Sequence, residues 1–561
     1  MAAKVYSVLI GGKAGEGVKK AAQVIAHLAM AGAKHVFQCD DYQSLIKGGH
    51  NFSVVSIADE PVYNSYQSCN LIISFDDRSI RSHATELAEG GVHVVNSNDA
   101  GSATNEMIAL PLTSLMKEVY GDKGNVSLAA VAIFAALTGI SLESLISSIS
   151  KEFKHSIEEN ISYATVIYRI MQDLKLPSQL SLSPQNAKAG KFYSGNQLLA
   201  LGAWVAGMEL YFSYPMTPAS SILHYLALKR ESHAVYAIHA ESELAAANMA
   251  IGAAFAGKRV AVGSSGGGIA LMQEAFSLAG MVEAPLLCFL SSRPGPATGV
   301  STYTAQEDLF FALNQGHGVF PRIVASPDSF ERAFSLSVEL MDLAWQYQSP
   351  AILLTEKHLS ESAASIDLRK IEIPDEEDLI QPESNPYQRY CLTDSGVSPL
   401  MFPGSEHCKA DDVIKWNSNE HLPSGVRTDV AEQIVAMKDK RNRKAEALAR
   451  ASKKYSRVAM YGEGEQLVFA YGSTALELRE ALKYTTFKLI VPIYLEPFPD
   501  EELQEYRNAS AIIVEHSSSA DFAEFLRIKL GISAKANILR YDGRSWDSKE
   551  LAKLIQEAGN A

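Results

Sequence analysis

An apolar run, a turn of small residues and then a stretch with helical spacing: this order recurs along the whole 561-residue chain and constrains its fold more than any other feature. The first run, residues 4–10, leads into Gly11-Gly12-Lys13-Ala14-Gly15-Glu16-Gly17, and residues 18–30 then carry apolar side chains at helical spacing. Further runs at 52–57, 71–75 and 92–96 alternate with helical stretches, and 127–140, 142–149 and 157–174 read as closing helices. Residues 176–191, with two prolines and little periodicity, read as a linker with a boundary near 185. A second block begins with a helix from Gly195-Asn196 to Met208 and a strand to Tyr214, and continues with runs at 260–263, 285–290, 322–325 and 351–354. A third places strands at 467–471, 489–493 and 511–514, with helices after Ser473, Asp500 and Ser519.

The expected fold class is therefore α/β and multidomain, with units at 1–180, 192–370 and 456–561 joined through an irregular insertion at 371–455. Within the insertion an acidic, proline-bearing stretch precedes a basic helix, 438–454, expected to be a solvated face with i,i+4 pairs. Lys and Arg number 50 against 64 Asp and Glu, a formal charge of −14, which argues against nucleic acid as the main partner. The five cysteines are scattered without a Cys-x-x-Cys pair, so neither a disulfide framework nor a cysteine-held cluster is expected on this chain. No window approaches 18 uninterrupted apolar residues and residues 1–10 carry no leader pattern, so the expectation is a soluble, cytoplasmic protein with no membrane partner.

Four segments carry candidate chemistry. In Tyr214-Pro215-Met216-Thr217-Pro218 two prolines straddle one hydroxyl residue, so Thr217 is held stiffly where a strand gives way to a helix, a usual place for ligand contacts. Glu241 and Glu243 open a helix of tiny and apolar residues, where a carboxylate either caps the helix or works as an acid or base in an apolar crevice. Ser264-Ser265-Gly266-Gly267-Gly268 follows another strand and offers backbone N–H groups to an anion. Arg293 stands ahead of a segment containing Thr298, Ser301 and Thr302, a set suited to a carboxylate or phosphate. The glycine turn at 11–17 fits dinucleotide templates poorly, since Lys20 stands where a third glycine belongs. His233, His239 and Glu241, and likewise Glu406, His407, Cys408 and His421, lack ligand spacing, so no metal site is expected.

Taken in order, these motifs resemble the α-type subunits of 2-oxoacid:ferredoxin oxidoreductases in the form with a γ-type domain fused ahead of the α-type domain. The turn at 11–17 and Ser44-Leu45-Ile46-Lys47-Gly48-Gly49-His50 look like the γ-type domain. The four candidate segments look like the pyrimidine-binding α-type domain. Asp394-Ser395-Gly396-Val397-Ser398-Pro399 resembles its insertion, and Gly472-Ser473-Thr474 with Pro497-Phe498-Pro499 the transketolase-type C-terminal domain. Ala219, Gly267 and Leu400 depart from residues common in the family, as does Glu515-His516.

The resemblance implies cleavage of a 2-oxoacid, with 2-oxoglutarate one candidate, by thiamine diphosphate and coenzyme A, with electrons sent to ferredoxin. It implies that Glu243 contacts the aminopyrimidine ring, that Ser265 and Gly266 belong to the cofactor site, and that Thr217 and Arg293 hold the 2-oxoacid. Tyr214, Pro215, Met216 and Pro218 would line the substrate site, with Thr302 along the substrate and coenzyme A approach. It further implies that Mg²⁺ and a [4Fe-4S] cluster lie on a separate β-type subunit, in an α2β2 assembly. A non-catalytic partner subunit of such a complex and a dinucleotide-binding protein are the alternatives.

Overall fold

The first apolar run is the strand Tyr6–Lys13, and it lies inside a mixed eight-stranded sheet. The computed structural model describes residues 5–43, 48–121, 124–178, 180–182, 190–373, 379–380, 386–406, 408–409 and 412–560. The expected boundary near 185 and residues 44–47 of the Ser44–His50 motif lie outside them. From one edge the sheet runs Ile108–Leu110, Leu87–Asn96, Cys69–Ser74, Tyr6–Lys13, His50–Ala58, His35–Asp41, Ala363–Ile366 and Lys191–Ser194. The last two come from the second block, so hydrogen-bonded strands join the first two units directly. The helix Leu128–Leu137 is apolar all round because it is buried all round, packed against Ile157–Asp173 and Val18–Ala31.

The second sheet has the order Tyr494–Glu496, Ile323–Ala325, Pro350–Glu356, Leu286–Ser292, Val260–Ser264, Leu210–Ser213 and Tyr236–His239. All its pairs are parallel except the first. Parallel strands are covered on both faces, and successive side chains divide between them. Leu287 and Phe289 enter the core beneath helices Gly195–Val205 and Phe330–Tyr347, whereas Leu286, Cys288 and Leu290 face Glu243–Phe255 and Gln273–Val282. Both cores continue into the third unit, whose sheet runs Val458–Tyr461, Lys488–Pro492, Leu467–Phe469, Ser510–Glu515 and Ser533–Leu539. The helix expected after Asp500 is instead a single 3₁₀ turn, Gln504–Tyr506. No helix among the described residues is long and apolar enough to cross a membrane, and all five cysteines are free.

The insertion corrects one expectation. Its basic helix spans Ala431–Ser452, and Lys440 and Lys444 are buried on its inner face rather than solvated. Lys440 Nζ donates to both oxygens of Glu283 at 2.8 and 2.9 Å, and Lys444 Nζ to Glu283 Oε2 at 2.8 Å and to the Gln348 carbonyl at 3.0 Å. Arg389, also buried, donates to the Gln348 side chain and the Glu283 carbonyl and stacks on Tyr390 and Trp416. Burial alone would raise the Glu283 pKa, but Lys440, Lys444 and Arg389 together hold it well below the usual carboxylate range. Burial brings Lys444 down to about 8, against the pull of Glu283. The helical spacing of Met437, Lys440, Lys444 and Leu448 places the two ammonium groups in the seam that docks the insertion.

Glu283→Gln should leave two buried cations without a counter-charge and destabilise the protein by about 3–5 kcal/mol. Limited proteolysis should then begin within the insertion. Because folding lowers the Lys444 pKa, the unfolded chain binds the extra proton between roughly pH 8 and 10.4. Stability contributed by the cluster should therefore rise with pH across that window, which denaturation midpoints at its two ends would check.

Candidate active site

Because the second sheet is parallel and nearly in register, its strands end along one edge, and every segment singled out for chemistry leaves from that edge. Ser213 lies beside His239, Ser264 beside Leu290, and Ser292 beside Glu356. The proline loop follows Ser213, Glu243 follows Tyr236–His239, the glycine turn follows Ser264, and Arg293 follows Ser292. Chain order reverses between Leu210–Ser213 and Val260–Ser264, the kind of switch point at which open α/β sheets form ligand crevices.

The proline loop is fastened from three sides. Ser213 Oγ donates to the Gly263 carbonyl at 2.8 Å across the switch point. Asn196, fully buried in the first turn of its helix, donates from Nδ2 to the Pro218 carbonyl at 2.8 Å and to Ser221 Oγ at 2.7 Å. Arg293 Nη1 donates to the Thr217 carbonyl at 2.7 Å, so the two residues expected to hold the substrate are in contact. The Thr217–Pro218 peptide is cis. Tyr214 is exposed, with its ring edge-on to His239, and Met216 Sδ lies 3.7 Å from Ser264 Oγ.

Glu243 begins the helix Glu243–Phe255 but does not cap it; Ser242 does, its side chain accepting from the Ala245 N–H. That removes the capping explanation for the carboxylate. Glu243 is 4% exposed, and its Oε1 has no hydrogen-bond partner among the described residues. It packs on Gly268, where an added Cβ would overlap Ser264 Oγ and come within 2.7 Å of Glu243 Oε1. Glu241 is exposed in the turn before the helix.

Arg293 is buried, and its Nε finds no partner among the described residues. Beside it stands Asp308, whose pKa burial raises, with the Ser292 hydroxyl and then the Arg293 charge offsetting only part of that. Asp308 also packs against Gly266, so the segment leaving the sheet at Arg293 returns to the glycine turn. Thr302 is buried on that return. Ser265 is buried with its hydroxyl unpartnered among the described residues.

The remaining candidates do not assemble. No three His, Cys, Asp or Glu side chains among the described residues are placed to share a metal, and His407 lies outside the described residues. His233 stacks on Trp204 with ring centres 4.1 Å apart. At the glycine turn Glu16 accepts from the Lys13 N–H at 2.7 Å, so the chain's own carboxylate takes a donor that a dinucleotide phosphate would need. Gln306 and Asp308 are the polar residues the sequence reading passed over. A Gln-x-Asp pair opening an apolar helix after a hydroxyl-rich segment was the available signal.

Gly268→Ala should push Glu243 out of place and destabilise the protein by about 1–3 kcal/mol. Gly267→Ala, whose Cβ would meet nothing nearer than the Ala297 carbonyl at 3.5 Å, should lie within about 0.5 kcal/mol of the wild type. Denaturant midpoints of the pair check the contact.

Two family models match the chain: pyruvate flavodoxin/ferredoxin oxidoreductase, thiamine diphosphate-binding, over residues 201–437, and pyruvate ferredoxin/flavodoxin oxidoreductase over residues 7–170. The 2-oxoacid:ferredoxin oxidoreductase subunit alpha of Sulfolobus sp is 27% identical over 629 aligned positions, covering 98% of this chain and 96% of that one. The 2-oxoglutarate synthase subunit KorA of Archaeoglobus fulgidus is 35% identical over 181 positions, 32% of this chain and 52% of its own. The fold is that of the 2-oxoglutarate:ferredoxin oxidoreductase from Magnetococcus marinus, with a TM-score of 0.86, 24% identity and 99% of each chain covered. The chain belongs to the 2-oxoacid:ferredoxin oxidoreductases, as an α-type subunit with a γ-type domain fused ahead of its thiamine diphosphate-binding domain.

Proposed function

We propose that the chain works as the α-type subunit of a complex that cleaves a 2-oxoacid with coenzyme A to acyl-CoA and carbon dioxide and passes the electrons to ferredoxin. The observation that carries this reading is the buried Glu243 carboxylate with one oxygen unpartnered among the described residues, at the switch point of the thiamine diphosphate-binding domain. A buried carboxylate oxygen without a hydrogen bond is costly, and a ligand N–H at that place would satisfy it. The Glu243 acceptor thus fits the aminopyrimidine side of thiamine diphosphate, with Ser265 and Gly266 beside it. When bound, thiamine diphosphate supplies the electron sink for breaking the bond to the carboxylate carbon.

This chain's residues bind, orient and move protons. Glu243 holds a proton-exchanging oxygen in an apolar surround. Arg293, braced on the Thr217 carbonyl, keeps donors for the 2-oxoacid carboxylate, and residues 214–218 form a stiff wall beside it. Thr302 lies along the approach of substrate and coenzyme A. The helix bearing Glu243 leaves Leu244 and Met249 exposed, with open space over Gly252, and Leu271 is exposed on the next helix. A β-type subunit carrying Mg²⁺ and the [4Fe-4S] cluster would close that apolar face over the site, in an α2β2 complex working in the cytoplasm. The likeness to the Archaeoglobus fulgidus subunit makes 2-oxoglutarate the first substrate to test.

In the complex assembled with the β-type subunit, Glu243→Gln keeps the shape but removes the ionisable group. Turnover, followed by viologen reduction, should fall on the order of 10²-fold or more, while Glu241→Gln stays near wild type. Equal losses in both variants would sink the assignment. Arg293→Ala should raise the KM for the 2-oxoacid about tenfold or more while the bound thiamine diphosphate content holds, since a charge-assisted hydrogen bond to the substrate is lost. An unchanged KM would return Arg293 to a structural role.

A further inference from the structure

The segment that carries Arg293 and Thr302 is a strap. It leaves the second sheet after Ser292 and comes back at Asp308, and residues 295–300 along its outer turn are exposed. On its return the Thr304 N–H donates to the Gly543 carbonyl at 3.2 Å and the Tyr303 ring lies under Arg544, but the side chain with the most hydrogen bonds there is Gln306, which is buried where the second and third units meet.

Gln306 uses its whole hydrogen-bonding capacity there. Its Nε2 donates to Glu356 Oε1 at 3.0 Å and to the Tyr471 carbonyl at 2.9 Å, and its Oε1 accepts from Thr474 Oγ1 at 2.8 Å and from the His516 N–H at 2.9 Å. Its backbone N–H donates to the His516 carbonyl at 2.7 Å, and its carbonyl accepts from Tyr471 Oη at 3.2 Å. An amide offers two donors and an acceptor with two lone pairs, so the side chain is saturated. Every partner but Glu356 belongs to the C-terminal unit, and Glu356 itself accepts from the Ser473 N–H at 2.9 Å. Glu356 lies directly across from Ser292 in the sheet, so the point at which the strap is fastened is next to the point from which Arg293 departs. Gly472 has φ 59°, and an added Cβ there would overlap the Glu356 carboxylate, so the two units meet with no slack at this place.

We propose that Gln306 is a positioning residue: through it the C-terminal unit sets the place of the strap, and with it the reach of Arg293 and Thr302 toward the 2-oxoacid. The consequence for substrate rests on the function proposed above; the mechanical coupling does not. A buried, fully satisfied amide has one arrangement of partners, so displacement of any of them loosens the strap next to Gln306 even while Tyr303 and Thr304 keep their own contacts.

The test uses the complex assembled with the β-type subunit and two kinds of variant. Gln306→Met removes the amide at similar length; Thr474→Val, in the C-terminal unit, removes only the hydroxyl that donates to it. Both should speed amide hydrogen exchange in the peptide spanning 293–305 and raise the KM for the 2-oxoacid about fivefold or more, with kcat within about twofold. Thr474→Ser, which keeps the donor, should restore both values. If Gln306→Met does not fold, Thr474→Val decides alone. Unchanged exchange in 293–305 would overturn the proposal, as would a lowered melting temperature with an unaltered KM. If the wild-type complex turns over no 2-oxoacid while strap exchange still follows Thr474, the coupling stands and the function proposed above falls.

Discussion

The in-register pairing of the parallel strands in the second sheet is the constraint on which the site depends. A shift of one residue between Leu286–Ser292 and Pro350–Glu356 would turn every side chain to the opposite face. Arg293 would then leave the sheet away from the proline loop, and Glu356 would no longer face the C-terminal unit. The covering helices enforce the register because both faces are buried: Leu287 and Phe289 have one set of partners, Leu286, Cys288 and Leu290 another. The geometry of the edge is thus fixed by packing far from it, and the loops inherit it.

Two buried glutamates show how differently one residue type can be housed. Glu283 is met by two lysines and lies near a third cation, and this closes the insertion onto the second unit. Glu243 lies against a glycine, and among the described residues no cation is bonded to it and one of its oxygens is left over. The first arrangement is complete in itself. The second leaves an acceptor open, and on the function proposed above that opening is where the cofactor would complete it.

Much of this was legible in the sequence. The alternation of strands and helices and the family were readable, because glycine, proline and apolar periodicity act locally, and the four candidate segments do leave one edge of the second sheet. What escaped was non-local. The strand Tyr236–His239 sits in a short apolar run, 234–238, that follows directly on a helix and can be read as its end, and its pairing with Leu210–Ser213 makes it a strand. Lys440 and Lys444 looked solvated because charge is usually exposed, and only the facing Glu283, 157 residues from Lys440, reverses that rule. Asn196 reads as the start of a helix, but its hold on the Pro218 carbonyl needs the helix and the loop placed side by side. Ser242, rather than either neighbouring glutamate, caps the helix, a choice between adjacent residues that backbone geometry alone decides.

The strands Lys191–Ser194 and Ala363–Ile366, lent by the second unit to the first sheet, bear on how such a polypeptide can be divided. A cut between the units would leave the halves joined by ladder hydrogen bonds, so the covalent boundary is not where cohesion ends. A γ-type domain made without that loan would leave Phe37 and Gln38, which pair with Ala364 and Ala363, on an open strand edge, the kind of surface that recruits other chains. Fusion within one polypeptide keeps the middle of that edge paired from the moment both units have been synthesised.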